Sequence, residues 1–311
     1  MQSVPETTKT TTEKRNAKTM NLDEMRTHDI LHVMNEEDKT VPDAVNKEID
    51  QIEKAVSAVI DAFTKGGRLI YIGAGTSGRL GMLDAVECPP TFGTDPEIVQ
   101  SLIAGGKDAI MKAVEGAEDD SELAESDLQN LNISEKDTVI GLAASGRTPY
   151  VIGGLNYSKS VGAHTVAVSC NKNAKISRYA DIPIEVEVGP EILTGSTRLK
   201  AGTAQKLVVN MISTSSMIGI GKVYENLMVD VQLTNQKLIE RAKNIISLAT
   251  EVDYDTASTF LKNAHHNPKI AIIMIKLECS FEKAKRSLKQ AGGFVREAIK
   301  MANNKDGGYN E

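Results

Sequence analysis

Two tripeptides of identical composition, Ser77-Gly78-Arg79 and Ser145-Gly146-Arg147, are where chemistry first concentrates in this chain. Each follows a short apolar run and precedes an amphipathic stretch, so each reads as a turn from strand to helix. Hydroxyls, N–H groups freed at a helix N-terminus and a guanidinium are the donors a phosphate monoester needs. Glycine lets the backbone approach the anion. The first turn offers Thr76, Ser77, Gly78 and Arg79, and the second Ser145, Gly146, Arg147 and Thr148, with Pro149 where the first turn of a helix accepts proline. Taken singly, either stretch is also compatible with a plain tight turn. Repetition of the tripeptide at two such junctions is harder to attribute to chance. Gly73, Gly75 and Gly78 have G-x-G-x-x-G spacing, but no acid closes a following strand to hold a ribose, and neither turn ends in Gly-Lys-Ser/Thr.

Two carboxylates stand out as acid/base candidates. Glu87 precedes Pro89 and Pro90, which are expected to stop the helix that begins at the first turn. A helix C-terminus favours the protonated carboxyl and so suits a general acid. A continuous helix would separate Glu87 from Ser77 by about 12 to 15 Å. Either Gly81 interrupts the helix, the phosphate sits in the second turn, or the site is shared between subunits. The second candidate follows Gly105-Gly106, where a helix over 108–128 is expected with an apolar stripe of Ile110, Met111, Val114 and Ala117. At 100° per residue Glu118 falls about 50° from the centre of that stripe and Glu115 about 110° away. Glu118 is therefore expected to point inward, with Glu115, Asp119 and Asp120 in solvent. A third polar cluster, 191–206, either closes over a ligand or forms an ordinary cap and turn. His28 and His32 share a helical face but lack an HExxH glutamate and a third ligand, so no metal site is expected, and His265-His266 reads as surface.

Positioning these groups requires a scaffold. Strand-like runs fall at 69–72, 98–103, 138–143, 164–169 and 182–186, and helical patterns fill 43–65, 79–86, 108–128, 149–160 and 201–218. Alternation of this kind predicts an α/β fold, a mainly parallel sheet flanked by helices on both faces, with ligands at the carboxyl ends of the strands. Residues 1–20 read as a flexible arm that could dock on a partner subunit. We divide the chain into an arm and first helical segment (1–42), a ligand-binding domain (43–235) and a small helical C-terminal domain (236–311) suited to packing or dimer contact.

Composition excludes several classes. The chain has 311 residues, 41% hydrophobic and 25% charged, with a net charge of −6 and no basic stripe, which argues against a nucleic-acid partner. No apolar run approaches the ~18 residues of a membrane helix, and the polar N-terminus lacks a signal-peptide core. Cys88, Cys170 and Cys279 are scattered and odd in number, as expected of a reducing cytoplasm.

At these motifs the chain resembles the N-acetylmuramic acid 6-phosphate etherases of the sugar isomerase (SIS) fold. The resemblance rests on Gly-Ala-Gly-Thr-Ser-Gly-Arg-Leu-Gly at 73–81, Glu-Cys-Pro-Pro-Thr at 87–91, Ala-Val-Glu-Gly-Ala-Glu-Asp at 113–119, Ala-Ala-Ser-Gly-Arg-Thr-Pro-Tyr at 143–150 and the stretch 194–206. Thr-Glu-Lys-Arg-Asn at 12–16 and Glu-Asp-Lys-Thr-Val-Pro at 37–42 extend it over almost the whole length. It implies a cytoplasmic, cofactor-free lyase that removes D-lactate from a small-molecule sugar phosphate, and a homodimer with its site near the subunit interface. The C-terminal domain would be a small UBA-like bundle. Glu87 would be the acid for lactate departure and Glu118 the second acid/base. Ser145, Arg147 and Thr148 would take the 6-phosphate, with Ser77 and Arg79 nearer the sugar or lactyl group. An aldose-ketose isomerase would use the same cradle and differ in the glutamate motifs. Glucokinase regulatory proteins, of the same ancestry, bind sugar phosphates without turnover but carry a pair of such domains.

Overall fold

The computed structural model describes residues 10–112, 114–233 and 235–306. The first nine residues of the expected arm, and Ala113 of the Glu118 motif, lie outside them. In chain order the elements are α1 (Thr27–Asp38), α2 (Thr40–Asn46), α3 (Ile49–Thr64), β1 (Leu69–Gly73), α4 (Gly75–Phe92), β2 (Val99–Ile103), α5 (Asp108–Met111), α6 (Ser121–Asn130), β3 (Thr138–Leu142), α7 (Pro149–Ser160), β4 (His164–Ser169), β5 (Ile182–Glu185) and α8 (Lys200–Gly219). Then follow α9 (Gln236–Thr250), α10 (Tyr254–Asn263), α11 (Pro268–Lys276), α12 (Phe281–Gln290) and α13 (Val295–Asp306).

The five strands form one sheet of order β2-β1-β3-β4-β5, parallel at every pairing. Every residue of β1 and β3 is buried, which is why they read as unbroken apolar runs rather than alternating ones. One face packs against α6 and α7 through Ile70, Ile72, Val139, Leu128, Val151 and Leu155. On the other, Thr138 donates to the Ala58 carbonyl of α3 at 3.2 Å, and Tyr71 donates to Asp84 of α4 at 2.8 Å. Asn210 and Ser213 of α8 donate to the second oxygen of Asp84 at 2.7 and 3.0 Å. Burial raises the Asp84 carboxyl above its ordinary range, and these three hydrogen bonds oppose the shift.

Three local expectations are corrected. The helix over 108–128 does not form: Gly116 takes φ 77° and Asp120 accepts from the N–H groups of Glu122 and Leu123, starting α6 afresh. Glu118 consequently lies on a 3₁₀ turn, Ala117–Asp119, and is exposed. Pro89 and Pro90 do not stop α4 at Glu87. They lie in its last turn, which continues to Phe92 despite their missing N–H groups, and the Pro89 carbonyl still accepts from Gly93 N–H at 2.9 Å. Gly81 leaves α4 uninterrupted. Lastly, residues 10–19 are no loose arm, since Thr12, Asn16 and Thr19 are buried against the chain's own body. Asn16 and Thr19 donate to the Pro190 and Ile192 carbonyls.

By internal contacts the chain divides into two compact units: residues up to Val86 together with Pro96–Ser213, and Glu87–Asp95 together with the chain from Thr214. The second unit has its own apolar cluster, including Ile246, Leu261, Ile272, Ile273 and Val295. Helices α9 to α12 start at side-chain caps: Asn235, Asp253, Asn267 and Ser280 each accept from an N–H three residues on. Among the described residues, no helix is long and apolar enough to cross a membrane.

Candidate functional site

The chain leaves β1 toward β2 on one side, and β3 then pairs with β1 on the other. The connections after β1 and β3 therefore diverge above neighbouring strands, where Gly73 stands opposite Leu142. Such a switch point opens a crevice at the carboxyl edge of an α/β sheet. Both Ser-Gly-Arg turns are placed there.

The second turn is open. Gly146 adopts φ 73°, a left-handed conformation in which a Cβ would also fall 2.5 Å from that of Ala174. Ser145, Arg147 and Thr148 are half-buried, and Thr148 precedes Pro149 at the start of α7 without spending its hydroxyl on a cap. The start of α7 is thus left without a side-chain cap, although Pro149 has no N–H to offer and the Ile152 N–H already bonds the Thr148 carbonyl at 3.1 Å.

The first turn is different. Helix α4 begins at Gly75, so Thr76, Ser77, Gly78 and Arg79 are already helical. Ser77 is buried and donates to Gln205 of α8 at 2.9 Å. Gly78 lies against β1, where an added Cβ would meet the Gly73 carbonyl oxygen at 2.8 Å. Arg79 Nε donates to the Ile110 carbonyl at 2.9 Å. Thr76 is half-buried.

Glu118 joins the two turns. It lines a cleft of about 200 Å³ with Gly75, Arg79 and Glu115. It also lines one of about 440 Å³ with Glu13, Ser145, Arg147, Thr148 and Thr197. Exposure on a 3₁₀ turn, not an inward helical face, brings the carboxylate there. Glu87 is exposed on the part of α4 that belongs with the second unit, and it is not among the residues lining either cleft. With α4 running on to Phe92, Glu87 lies outside the last turn of the helix and not at its C-terminus as expected.

The third cluster resolves into a cap. Glu191, fully buried, accepts from the N–H groups of Lys200 and Ala201 at 3.0 and 2.9 Å, occupying the N-terminus of α8. Burial raises its carboxyl, and the two amides pull it back. Nearby, burial would raise Glu37, but hydrogen bonds from Lys18 and Lys200 outweigh it and hold that carboxyl at about 2. Glu13 is a cleft residue that periodicity and spacing did not single out, whereas Thr197 belongs to the third polar cluster, which reaches the cleft as well as capping α8. Each lies in a motif carrying the family resemblance, which was the available signal. His28 and His32 meet at an exposed helix face with their rings tilted by 59° and ring centroids 4.4 Å apart.

A family model for the SIS domain matches residues 111–215, and one for the glucokinase regulatory protein N-terminal SIS domain matches residues 51–159. Together they span the sheet and both turns, so the fold and crevice are those of a SIS-domain protein. N-acetylmuramic acid 6-phosphate etherases from Bacillus cereus and from a Geobacillus species are each 66% identical to the chain, covering 93% of it and 98% of their own length. A solved phosphoheptose isomerase from Francisella tularensis overlays 62% of this chain and 100% of its own, at 12% identity and a TM-score of 0.47. The chain belongs to the N-acetylmuramic acid 6-phosphate etherase family.

Proposed function

We propose that this enzyme cleaves the D-lactyl ether of N-acetylmuramic acid 6-phosphate by elimination and hydration, releasing N-acetylglucosamine 6-phosphate and D-lactate. The observation that carries the reading is the cleft in which Glu118 shares walls with Ser145, Arg147 and Thr148: a carboxylate beside donors suited to a phosphate monoester. In the open-chain sugar the C1 aldehyde acidifies the C2 proton. Glu118 takes that proton, the C3–O bond breaks as Glu87 protonates the departing ether oxygen, and water adds at C3 of the unsaturated aldehyde. Two carboxyl groups suffice, so the enzyme is a lyase without metal or hydride carrier. Ser145, Arg147 and Thr148 hold the phosphate. Arg79 and Thr76 face the sugar or lactyl group, while Ser77 and Gly78 set the shape of the first turn.

The same reading includes a cytoplasmic homodimer whose site lies near the subunit boundary, with residues 43–235 as the sugar-phosphate domain and 236–311 as a helical accessory. Leu83 and Val86, 52% and 55% exposed on α4 within a helical turn of Glu87, are apolar side chains that a partner subunit would cover. Turnover in ¹⁸O-labelled water tests the chemistry. Elimination and hydration place the label at C3 of the amino sugar and none in the lactate. Label in lactate, or isomerisation without lactate, refutes it.

A further inference from the structure

The larger Glu118 cleft has a wall that the proposed chemistry leaves unused. Glu13 lies on it, with Oε1 3.8 Å from Nη2 of Arg147 and both side chains 31% exposed. The backbone that carries this carboxylate is held on both sides. Thr11 Oγ1 and the Thr12 N–H donate to Asn171 Oδ1 at 2.8 and 3.3 Å, and Asn171 Nδ2 donates back to Thr12 Oγ1 at 3.0 Å. Thr12 is fully buried and Asn171 is 3% exposed. Beyond Glu13, Asn16 donates to Glu37 at 2.9 Å.

The same Asn171 Nδ2 also donates to the Ala144 and Ser145 carbonyls at 3.1 and 3.4 Å. One buried amide therefore ties the N-terminal segment to the backbone of the turn that bears Arg147. The register between Glu13 and Arg147 is set locally, within that turn.

We infer that Glu13 is a positioning residue that orients the Arg147 guanidinium for the substrate's phosphate, and that the segment around it is a built part of the site. This rests on the reading of the second turn as the phosphate cradle. A guanidinium presents its N–H groups in a rigid planar fork. A carboxylate beside one Nη limits the rotamers of the side chain and leaves the remaining N–H groups for the anion. Without it, the binding step must order a freely rotating arginine.

Calorimetric titration of the full chain with inorganic phosphate tests this role. Glu13→Gln, which removes the charge and keeps the shape, is expected to weaken phosphate binding about fivefold, the upper range for a partly exposed ion pair. The thermal midpoint should stay at the wild-type value. In an Arg147→Gln background Glu13→Gln should cost nothing further. Thr12→Val, which breaks the latch but keeps both charged groups, should reproduce part of the loss. Tighter phosphate binding by Glu13→Gln would mean that the carboxylate competes with the anion. Additive losses in the double variant would mean that the two side chains act independently. Either outcome overturns the role. No phosphate binding by the wild type would overturn it together with the cradle, whereas failure to release lactate would sink the etherase reading and leave this titration standing.

Discussion

Ser77-Gly78-Arg79 and Ser145-Gly146-Arg147 follow adjacent parallel strands and contain the same three residues, yet the fold puts them to different work. After β1 the helix starts at Gly75, before the tripeptide, so Ser77 is carried to the buried side against Gln205 and Arg79 is drawn to the Ile110 carbonyl. After β3 the helix starts at Pro149, beyond the tripeptide, so Gly146 turns left-handed and Ser145 and Arg147 line the cleft. Whether such a tripeptide lines a cleft or braces the fold is decided by where the helix begins. A shift of six residues in that start, relative to the tripeptide, separates the two outcomes.

The largest expected effect falls on the residue common to both clefts. Glu118→Gln should lower lactate formation at least ~10²-fold, the low end of general acid/base contributions, and Glu87→Gln should do the same. Near-normal rates for Glu118→Gln would leave the two turns flanking no chemistry.

Paired substitutions sharpen the contrast between the turns themselves. Arg147→Gln should raise the KM for the sugar phosphate roughly 10- to 100-fold with little change in thermal stability, as expected for a lost charge-assisted hydrogen bond to the ligand. Arg79→Gln should cost about 1 kcal/mol of stability through its lost backbone contact. The serines should divide the same way. Ser77→Ala should destabilise by about 1–3 kcal/mol, because Gln205 Nε2 already has no partner among the described residues and its buried oxygen would lose one too. Ser145→Ala should change KM alone. Equal stability losses for both serines, read from urea midpoints, would erase the distinction.

The last effect, seen only in acid, concerns the support on which the N-terminal segment rests. Glu37 sits at about 2 when folded against an ordinary 4.5, so the folded state favours its ionised form. The stability this contributes is fully present above pH 4.5 and is lost as pH falls toward 2. The urea midpoint of the wild type should therefore drop across that window, and the drop should be shallower in Glu37→Gln. An identical profile in the variant would remove Glu37 from the account.

The central strands β1 and β3 were legible because a strand buried on both faces leaves a short, unbroken apolar run, as in Leu69-Ile70-Tyr71-Ile72. The Ser-Gly-Arg turns and both glutamates were legible as residue types in a motif. The setting of Glu118 was not: Gly116 and the Asp120 cap divide what periodicity reads as one helix, and the carboxylate reaches its clefts from an exposed turn.

By itself, then, the sequence determined the strand positions, the two turns and the groups able to exchange protons, because these follow from local pattern and side-chain chemistry. Tertiary structure alone decided that Ser77 braces while Ser145 lines a cleft, and that Glu13 stands beside Arg147. Those outcomes depend on helix starts and on buried hydrogen bonds between residues as far apart as Thr12 and Asn171, and no local periodicity encodes contacts of that range.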